Sequence, residues 1–349
     1  MENKLVKKII LDTDMGVDCD DAVALAILLN KHIAGEIQIG CITASSTREG
    51  ATATVQAITN YYGVHLPIGA MASPSLECDK INNYGKAVKD LYGTKDSSQD
   101  AVLLLRKTLA EQAGKSTIVA IGPLSNMERL LKSGADEISP LDGEGLVREK
   151  VSEIFVMGGR FAQNYDFLNL HAEAAPEWNM DGRFAQDCDF LDLHEWVVPE
   201  WNILQDIAAA RYFVGHCPVG ITFAPWEAGA RVMTKMRRGD NPVWYCMLQY
   251  AVSENYPHEP EFERMSWDPV TCLCATDGCE EYFDYSEPGD ISVDEAGVTS
   301  FAERADGKHR ILLLKDGYTK IADRINASVE PLEAVASKKQ RRSRLAVRV

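Results

Sequence analysis

The stretch IILDTDMGVDCDDAVALAILL, residues 9–29, sets five aspartates (Asp12, Asp14, Asp18, Asp20 and Asp21) between two apolar runs. The first run is β-branched and lacks polar alternation, which reads as a strand over residues 7–12 buried on both faces. The second predicts a helix from Asp21 to Asn30. The acids therefore occupy a strand-to-helix turn. A helix start favours carboxylates through its free N–H groups and its dipole, but that accounts for one or two acids, not five. Carboxylates this crowded repel one another and shift upward in pKa unless a cation sits among them. Oxygen ligands with no His nearby and a single Cys (Cys19) among them suit Ca²⁺ or Mg²⁺. An EF-hand is excluded: counted from Asp12, the sixth position is Val17 rather than Gly and the twelfth is Val23 rather than Glu. A phosphatase of the haloacid-dehalogenase type shares a strand ending in Asp-x-Asp, but Gly16 stands where such enzymes carry Thr or Val.

Outward from this turn, strand-like and helix-like segments alternate. IQIGCITA (37–44), GATATVQAITNYYG, LPIGA, a helix near 98–113, STIVAIG, PLSNMERLLK and SEIFVMGG follow in order. This β-α-β-α order, with apolar strands, predicts an α/β fold: an open, mostly parallel sheet with flanking helices. The region 281–316 reads as short strands and turns, a small antiparallel appendage near the C-terminus, and GYTKIADRINASVEPLEAV reads as a closing helix. In such folds the site lies at the carboxyl ends of the strands. The aspartate turn, IGPLSN (121–126) and VMGG (156–159) all fall at that edge.

Bulk properties narrow the function classes. The 349 residues carry 36 basic and 52 acidic side chains. The tail SKKQRRSRLAVRV holds six of the basic ones, so residues 1–336 are more acidic than the net −16 implies. An acidic body argues against a nucleic-acid-binding surface. No apolar run is long enough to span a bilayer, and the start lacks the features of a signal peptide. Nine scattered cysteines suit reduced thiols, and a cytoplasmic setting is the default expectation. The CLCATDGC cluster fits no common zinc spacing. With no linker of Gly, Ser or Pro, residues 1–336 read as one domain and 337–349 as a solvated basic tail.

One internal repeat interrupts the chain. MGGRFAQNYDFLNLHAEAAPEWN (157–179) is followed directly by MDGRFAQDCDFLDLHEWVVPEWN (180–202), with 15 of 23 positions identical. Two copies are too few for a solenoid; a tandem duplication lengthening one loop explains them.

Taken in order, five motifs resemble the inosine–uridine-preferring nucleoside hydrolase family. DTDMGVDCDDAVAL resembles the family's Asp-Thr-Asp-Pro-Gly-x-Asp-Asp-Ala opening, with Met15 for proline and two additional residues before the final Asp-Asp. IGPLSN resembles Gly-Pro-Leu-Thr-Asn, VMGG its Met-Gly-Gly, PEWNILQDIAAA (199–210) its Glu-Phe-Asn segment, and SWDPVTCL (266–273) its late His-Asp-Pro. The resemblance implies hydrolysis of the N-glycosidic bond of a ribonucleoside by a Ca²⁺-activated water. It implies Asp14, Asp21, Asp268 and the Ser125 carbonyl as metal ligands, Asp20 as the base, and Glu200 and Asn202 on the ribose hydroxyls. It further implies a homodimer or homotetramer.

The chain departs from the family pattern at four places. The additional residues in GVDCDD leave Asp18 and Asp20 both eligible as the base, with Asp20 favoured because Asp20-Asp21-Ala22 keeps the family's helix start. TASSTREG replaces the usual Gly-Asn, making Ser45, Ser46 and Thr47 loop residues or substitutes for an amide contact. Trp267 stands at the position of the late histidine; its ring can stack on a base but cannot deliver a proton, and His258 is near in sequence. The duplication offers two PEWN sets, of which Glu200 and Asn202 keep the family spacing, while Asn164 and Asn169 of the first copy are candidates for the sugar's 5′ side. A member that binds Ca²⁺ and ribose without turnover is the alternative reading.

Overall fold

The computed structural model describes residues 6–72, 76, 84–161, 199–237, 239–254, 256, 261–278, 280–315 and 318–329. The first strand, β1 (Lys7–Thr13), ends in the acidic turn and passes to α1 (Asp20–Ala34). The next elements are β2 (Ile37–Ala44), α2 (Ala51–Tyr62), β3 (Ile68–Ala70), α3 (Tyr84–Tyr92), α4 (Ala101–Glu111), β4 (Ser116–Ala120), α5 (Ser125–Lys132), α6 (Gly143–Lys150) and β5 (Val151–Met157). After residue 199 come α7 (Trp201–Gln205), α8 (Ile207–His216), β6 (Ile221–Ala224), α9 (Trp226–Gly229), β7 (Met233–Arg237), α10 (Pro242–Ser253), β8 (Glu261–Met265) and α11 (Trp267–Asp277). The C-terminal part adds β9 (Phe283–Tyr285), β10 (Gly289–Val293), β11 (Thr299–Glu303), β12 (Arg310–Leu314) and α12 (Tyr318–Val329).

Eight strands form the main sheet in the order β3-β2-β1-β4-β5-β6-β12-β9. All neighbours pair in parallel except β9 against β12. The β1 strand lies between β2 and β4, so the connections run outward in opposite directions from it. This is the switch point, where a crevice opens beyond the strand ends. The apolar run of β1 is explained by burial on both faces: Ile9 and Leu11 join the core cluster that holds α1, while Ile10 joins the cluster under α4 and α5.

The α1 helix is buried from Asp20 to Lys31, packed against α2, α10, α11 and α12. It runs a turn beyond the predicted end at Asn30. Lys31 can be buried there because its ammonium pairs with Asp277 and Glu36, which offsets the cost of removing a charge from water. Gly35 at φ 76° closes the helix, a left-handed conformation that glycine adopts without strain.

The expected antiparallel appendage corresponds to the hairpin β10–β11, but its flanking strands extend the main sheet. Ile311 and Leu312 in β12 are both fully buried, so this strand needs cover on both faces, and it finds that beside β6. A second antiparallel ribbon, β7–β8, escaped the sequence reading; it delivers Arg264 and Ser266 to the start of α11. No helix among the described residues is long and apolar enough to cross a membrane.

Candidate active site

Two helix starts meet beyond the carboxyl end of β1. The α1 helix brings Asp20 and Asp21 in its first turn, and α11, packed against it, brings Asp268 in its own. Carboxylate oxygens of Asp20, Asp21 and Asp268 lie within 4.8 Å of one another. Asp14, in the turn after β1, adds a fourth buried acid close enough to act electrostatically on Asp21 and Asp268. Burial is the main reason that Asp14, Asp21 and Asp268 are all held well above the usual carboxylate range, and the neighbouring aspartates push them further. Asp20 is pushed up to about 7, first by burial and then by Asp18.

Each acid is held in place differently. Asp21 Oδ1 accepts a hydrogen bond from Thr13 Oγ1, whereas its buried Oδ2 has no hydrogen-bond partner. Asp20 Oδ2 accepts from the backbone N–H groups of Trp267 at 3.0 Å and Asp268 at 3.1 Å, so the start of α11 favours its charged form. Asp18 faces the other way. Arg264 from β8 grips both of its oxygens, with Nε at 3.0 Å from Oδ1 and an Nη on Oδ2, and Cys19 N donates to Oδ1 at 2.6 Å. The additional residues of GVDCDD thus carry their own anchor. Gly16, at φ 106°, makes this turn possible. Its N–H donates to Tyr84 Oη, and its carbonyl accepts from Arg48 Nη1.

Asp12 does not join the cluster. Its Oδ1 accepts from Thr43 Oγ1 at 2.5 Å and Asn126 Nδ2 at 2.8 Å, in keeping with Thr43 being its β2 neighbour. Burial pushes Asp12 up to about 7. Asn126 also donates to the Ala44 carbonyl at 2.9 Å, and so ties β1, β2 and α5 together behind the acids. Gly122 allows the IGPLSN turn to rest on Asp14: a Cβ there would lie 2.8 Å from Asp14 N and 2.5 Å from Ser45 Oγ. Ser125 begins α5, and its hydroxyl donates to Asp206 at 2.6 Å.

The PEWN segment comes to the same edge. Glu200 caps α7, accepting from Asn202 N and Ile203 N, and it also accepts from Gly159 N of VMGG. Burial raises it to about 7. Asn202 Nδ2 donates to the carbonyls of Ile121 and Met157, each at 3.3 Å, which joins the ends of β4 and β5. Trp267 heads α11, with its Nε1 donating to the Trp226 carbonyl at 2.8 Å. Gly229 leaves room for it, since a Cβ there would lie 2.5 Å from Trp267.

Asn164, Asn169 and His258, with most of the duplicated segment, lie outside the described residues. The described histidines sit elsewhere: His32 closes α1, His65 precedes β3, His216 ends α8, and His309 accepts from Ile221 N through Nδ1. Trp244 and Tyr250 of α10 are buried in the core, as a helical aromatic face usually is. Arg264, Arg160 and Asn126 also come to this edge. Asn126 closes IGPLSN and Arg160 follows VMGG in the repeat, whereas Arg264 carries no local signal because its partner Asp18 is distant in the chain.

The donor set fits a hard divalent cation. Three buried carboxylates converge with Asp14 beside them, Asp21 Oδ2 is unpartnered, and among the described residues no His or Cys joins the group. Without an ion these acids hold protons instead of charge, as their upward shifts require.

Comparison with known proteins agrees with this arrangement. No curated protein matches the chain. Among solved structures, an inosine-uridine preferring nucleoside hydrolase from Bacillus anthracis matches with 18% identity and a TM-score of 0.59, covering 93% of this chain and 100% of that one. An inosine-guanosine nucleoside hydrolase matches with 16% identity and a TM-score of 0.62, covering 94% and 100%. The type III effector protein XopQ, solved with adenosine diphosphate ribose, matches with 16% identity and a TM-score of 0.59, covering 95% of each chain. These likenesses establish the fold. The family model described as inosine-uridine preferring nucleoside hydrolase matches residues 9–330, and the chain accordingly belongs to this family of N-glycosyl hydrolases.

Proposed function

We propose that the protein is a Ca²⁺-dependent ribonucleoside N-ribohydrolase that releases a free base and ribose. The observation that carries this reading is the buried convergence of Asp20, Asp21 and Asp268, with Asp21 Oδ2 unpartnered. Asp14, Asp21, Asp268 and the Ser125 carbonyl would hold the ion. When bound, calcium makes water a better nucleophile and offsets the charge of its ligands.

The remaining chemistry falls to the chain. Asp20 takes a proton from the water that attacks the anomeric carbon, while the N-glycosidic bond breaks and its electron pair leaves with the base. Asp18 is unsuited to that task because the Arg264 guanidinium occupies both its oxygens. The carboxylates stabilise the oxocarbenium-like sugar. Asn202 and Glu200 position the ribose, a contribution of orientation rather than bond-making. Trp267 cannot protonate the leaving base, so the late histidine's route of leaving-group protonation is lost. Substrates whose leaving groups are stable anions are therefore favoured.

The test is release of reducing sugar from inosine, uridine and a nitrophenyl riboside, with calcium and with EDTA. Release from at least one substrate that EDTA abolishes is the expected result, with the nitrophenyl riboside cleaved fastest. Release unaffected by EDTA would overturn the reading. A second reading, binding without turnover, has one observation in its favour: the Trp267 indole N–H is committed to the Trp226 carbonyl. Calcium and ribose binding without release of sugar from any of the three substrates would select it.

A further inference from the structure

Arg160 follows directly on Gly158 and Gly159, whose turn supports Glu200. Its backbone is fixed on both sides by Thr299, which accepts from Arg160 N at 2.9 Å and donates to Arg160 O at 2.8 Å. Its guanidinium lies over the Trp226 ring, 4.3 Å from the centroid. The Trp226 ring in turn neighbours that of Trp267, with centroids 6.3 Å apart. Arg160 also acts electrostatically on Glu200.

Among the described residues nothing accepts a hydrogen bond from the Arg160 side chain, and its Nε is shielded from solvent without one. Arg264 and Arg48 also reach the acidic turn, but each donates to a group there: Arg264 to Asp18, Arg48 to the Gly16 carbonyl. A guanidinium carries five donors, and leaving a shielded one unsatisfied is costly. A guanidinium held over a tryptophan ring can still take a phosphate through parallel bonds from its N–H groups.

We propose that Arg160, held by Trp226, is the binding site for a phosphoryl group on the 5′ oxygen of the substrate's ribose. The preferred substrate is then a 5′-phosphorylated ribonucleoside rather than the nucleoside itself. This rests on the ribohydrolase reading above, and the position follows by elimination. In that reading C1′ bears the base and the 2′,3′-diol is taken by the metal and the carboxylate side of the pocket. The 5′ oxygen is the remaining ribose hydroxyl able to carry an anion toward Arg160.

Two measurements test it. Calorimetric titration of the calcium-loaded protein with ribose 5-phosphate and with ribose should show the phosphate ester binding about tenfold to a hundredfold more tightly, the worth of a charge-assisted hydrogen bond. Arg160→Gln should abolish that difference, and Arg160→Lys should keep part of it, since lysine retains the charge without the planar fork. Inorganic phosphate alone should bind more weakly than the ester. In the second measurement, kcat/KM for inosine 5′-monophosphate should exceed that for inosine, and the ratio should collapse in Arg160→Gln. Equal binding of ribose and its phosphate, or a preference that survives Arg160→Gln, overturns the proposal. Hydrolysis of inosine in preference to its monophosphate overturns it too and leaves the ribohydrolase reading intact. If neither substrate is cleaved while ribose 5-phosphate still binds through Arg160, the phosphate site stands and the hydrolytic reading fails.

Discussion

Asp18 and Asp20 lie two residues apart in a turn and meet opposite surroundings. The first is neutralised by a buried guanidinium; the second faces other carboxylates with one oxygen held by the start of α11. Under the proposed function their roles separate accordingly, in keeping with the helix start that already favoured Asp20 as the base. Asp20→Asn should retain calcium binding, since an amide oxygen can still accept from Trp267 N and Asp268 N, while turnover falls about a hundredfold or more, as expected for loss of a general base. Near-normal kcat in that variant would return the role to Asp18. Asp14→Ala should lose calcium affinity and activity together, read by titration calorimetry and sugar release. Calcium affinity equal to that of the parent protein would refute its assignment as a ligand.

Among the elements, the contacts that matter are those that bring two loop ends together without side-chain bulk. The turn between β4 and α5 rests on Asp14 because Gly122 has no Cβ. Gly122→Ala would force a methyl to within 2.9 Å of Asp14 N and Cβ and closer still to Ser45 Oγ, so the turn must retreat from the acids. Such overpacking costs about 1–3 kcal/mol. Both melting temperature and calcium affinity should drop, by thermal unfolding and titration. A variant that lost stability alone would show that this turn does not support the metal ligands. The β7–β8 ribbon has a comparable role, since it carries the arginine that anchors the inserted acid. Removing Asp18 would leave the buried Arg264 guanidinium without its carboxylate partner, which destabilises the ribbon.

For the whole molecule, the acidic centre links stability to pH. Asp12, Asp20 and Glu200 are raised to about 7, and Asp14, Asp21 and Asp268 are raised as well. A carboxyl raised on folding binds its proton more tightly in the native state. Its stabilising contribution is complete below the unfolded pKa near 4 and is lost as pH rises through the folded value. In EDTA the melting temperature should therefore fall between about pH 5 and pH 8. Calcium binds the deprotonated carboxylates, so its stabilisation should grow over the same range. Differential scanning calorimetry with and without calcium reads this directly. A calcium effect independent of pH would mean that the ion does not sit among these acids.

Much of this was written locally in the chain. Apolar strands without alternation require cover on both faces, which fixes a layered α/β sheet, and β-α-β order makes the sheet parallel. Five acids in one turn require a cation or a strong upward shift in pKa, and that much is chemistry of neighbours in sequence. The sequence favoured Asp20 over Asp18 only through the helix start, and it could not supply the guanidinium that separates them, nor put the late strands β9 and β12 onto the main sheet. Those outcomes depend on groups far apart in the chain: Asp18 meets Arg264 across 246 residues, and Arg160 meets Trp226 where β5 and β6 pair side by side. Backbone propensity and hydrophobic periodicity act over a few residues. The pairing of buried charges is decided by which loop ends the sheet order brings to one edge, and only the folded chain specifies that.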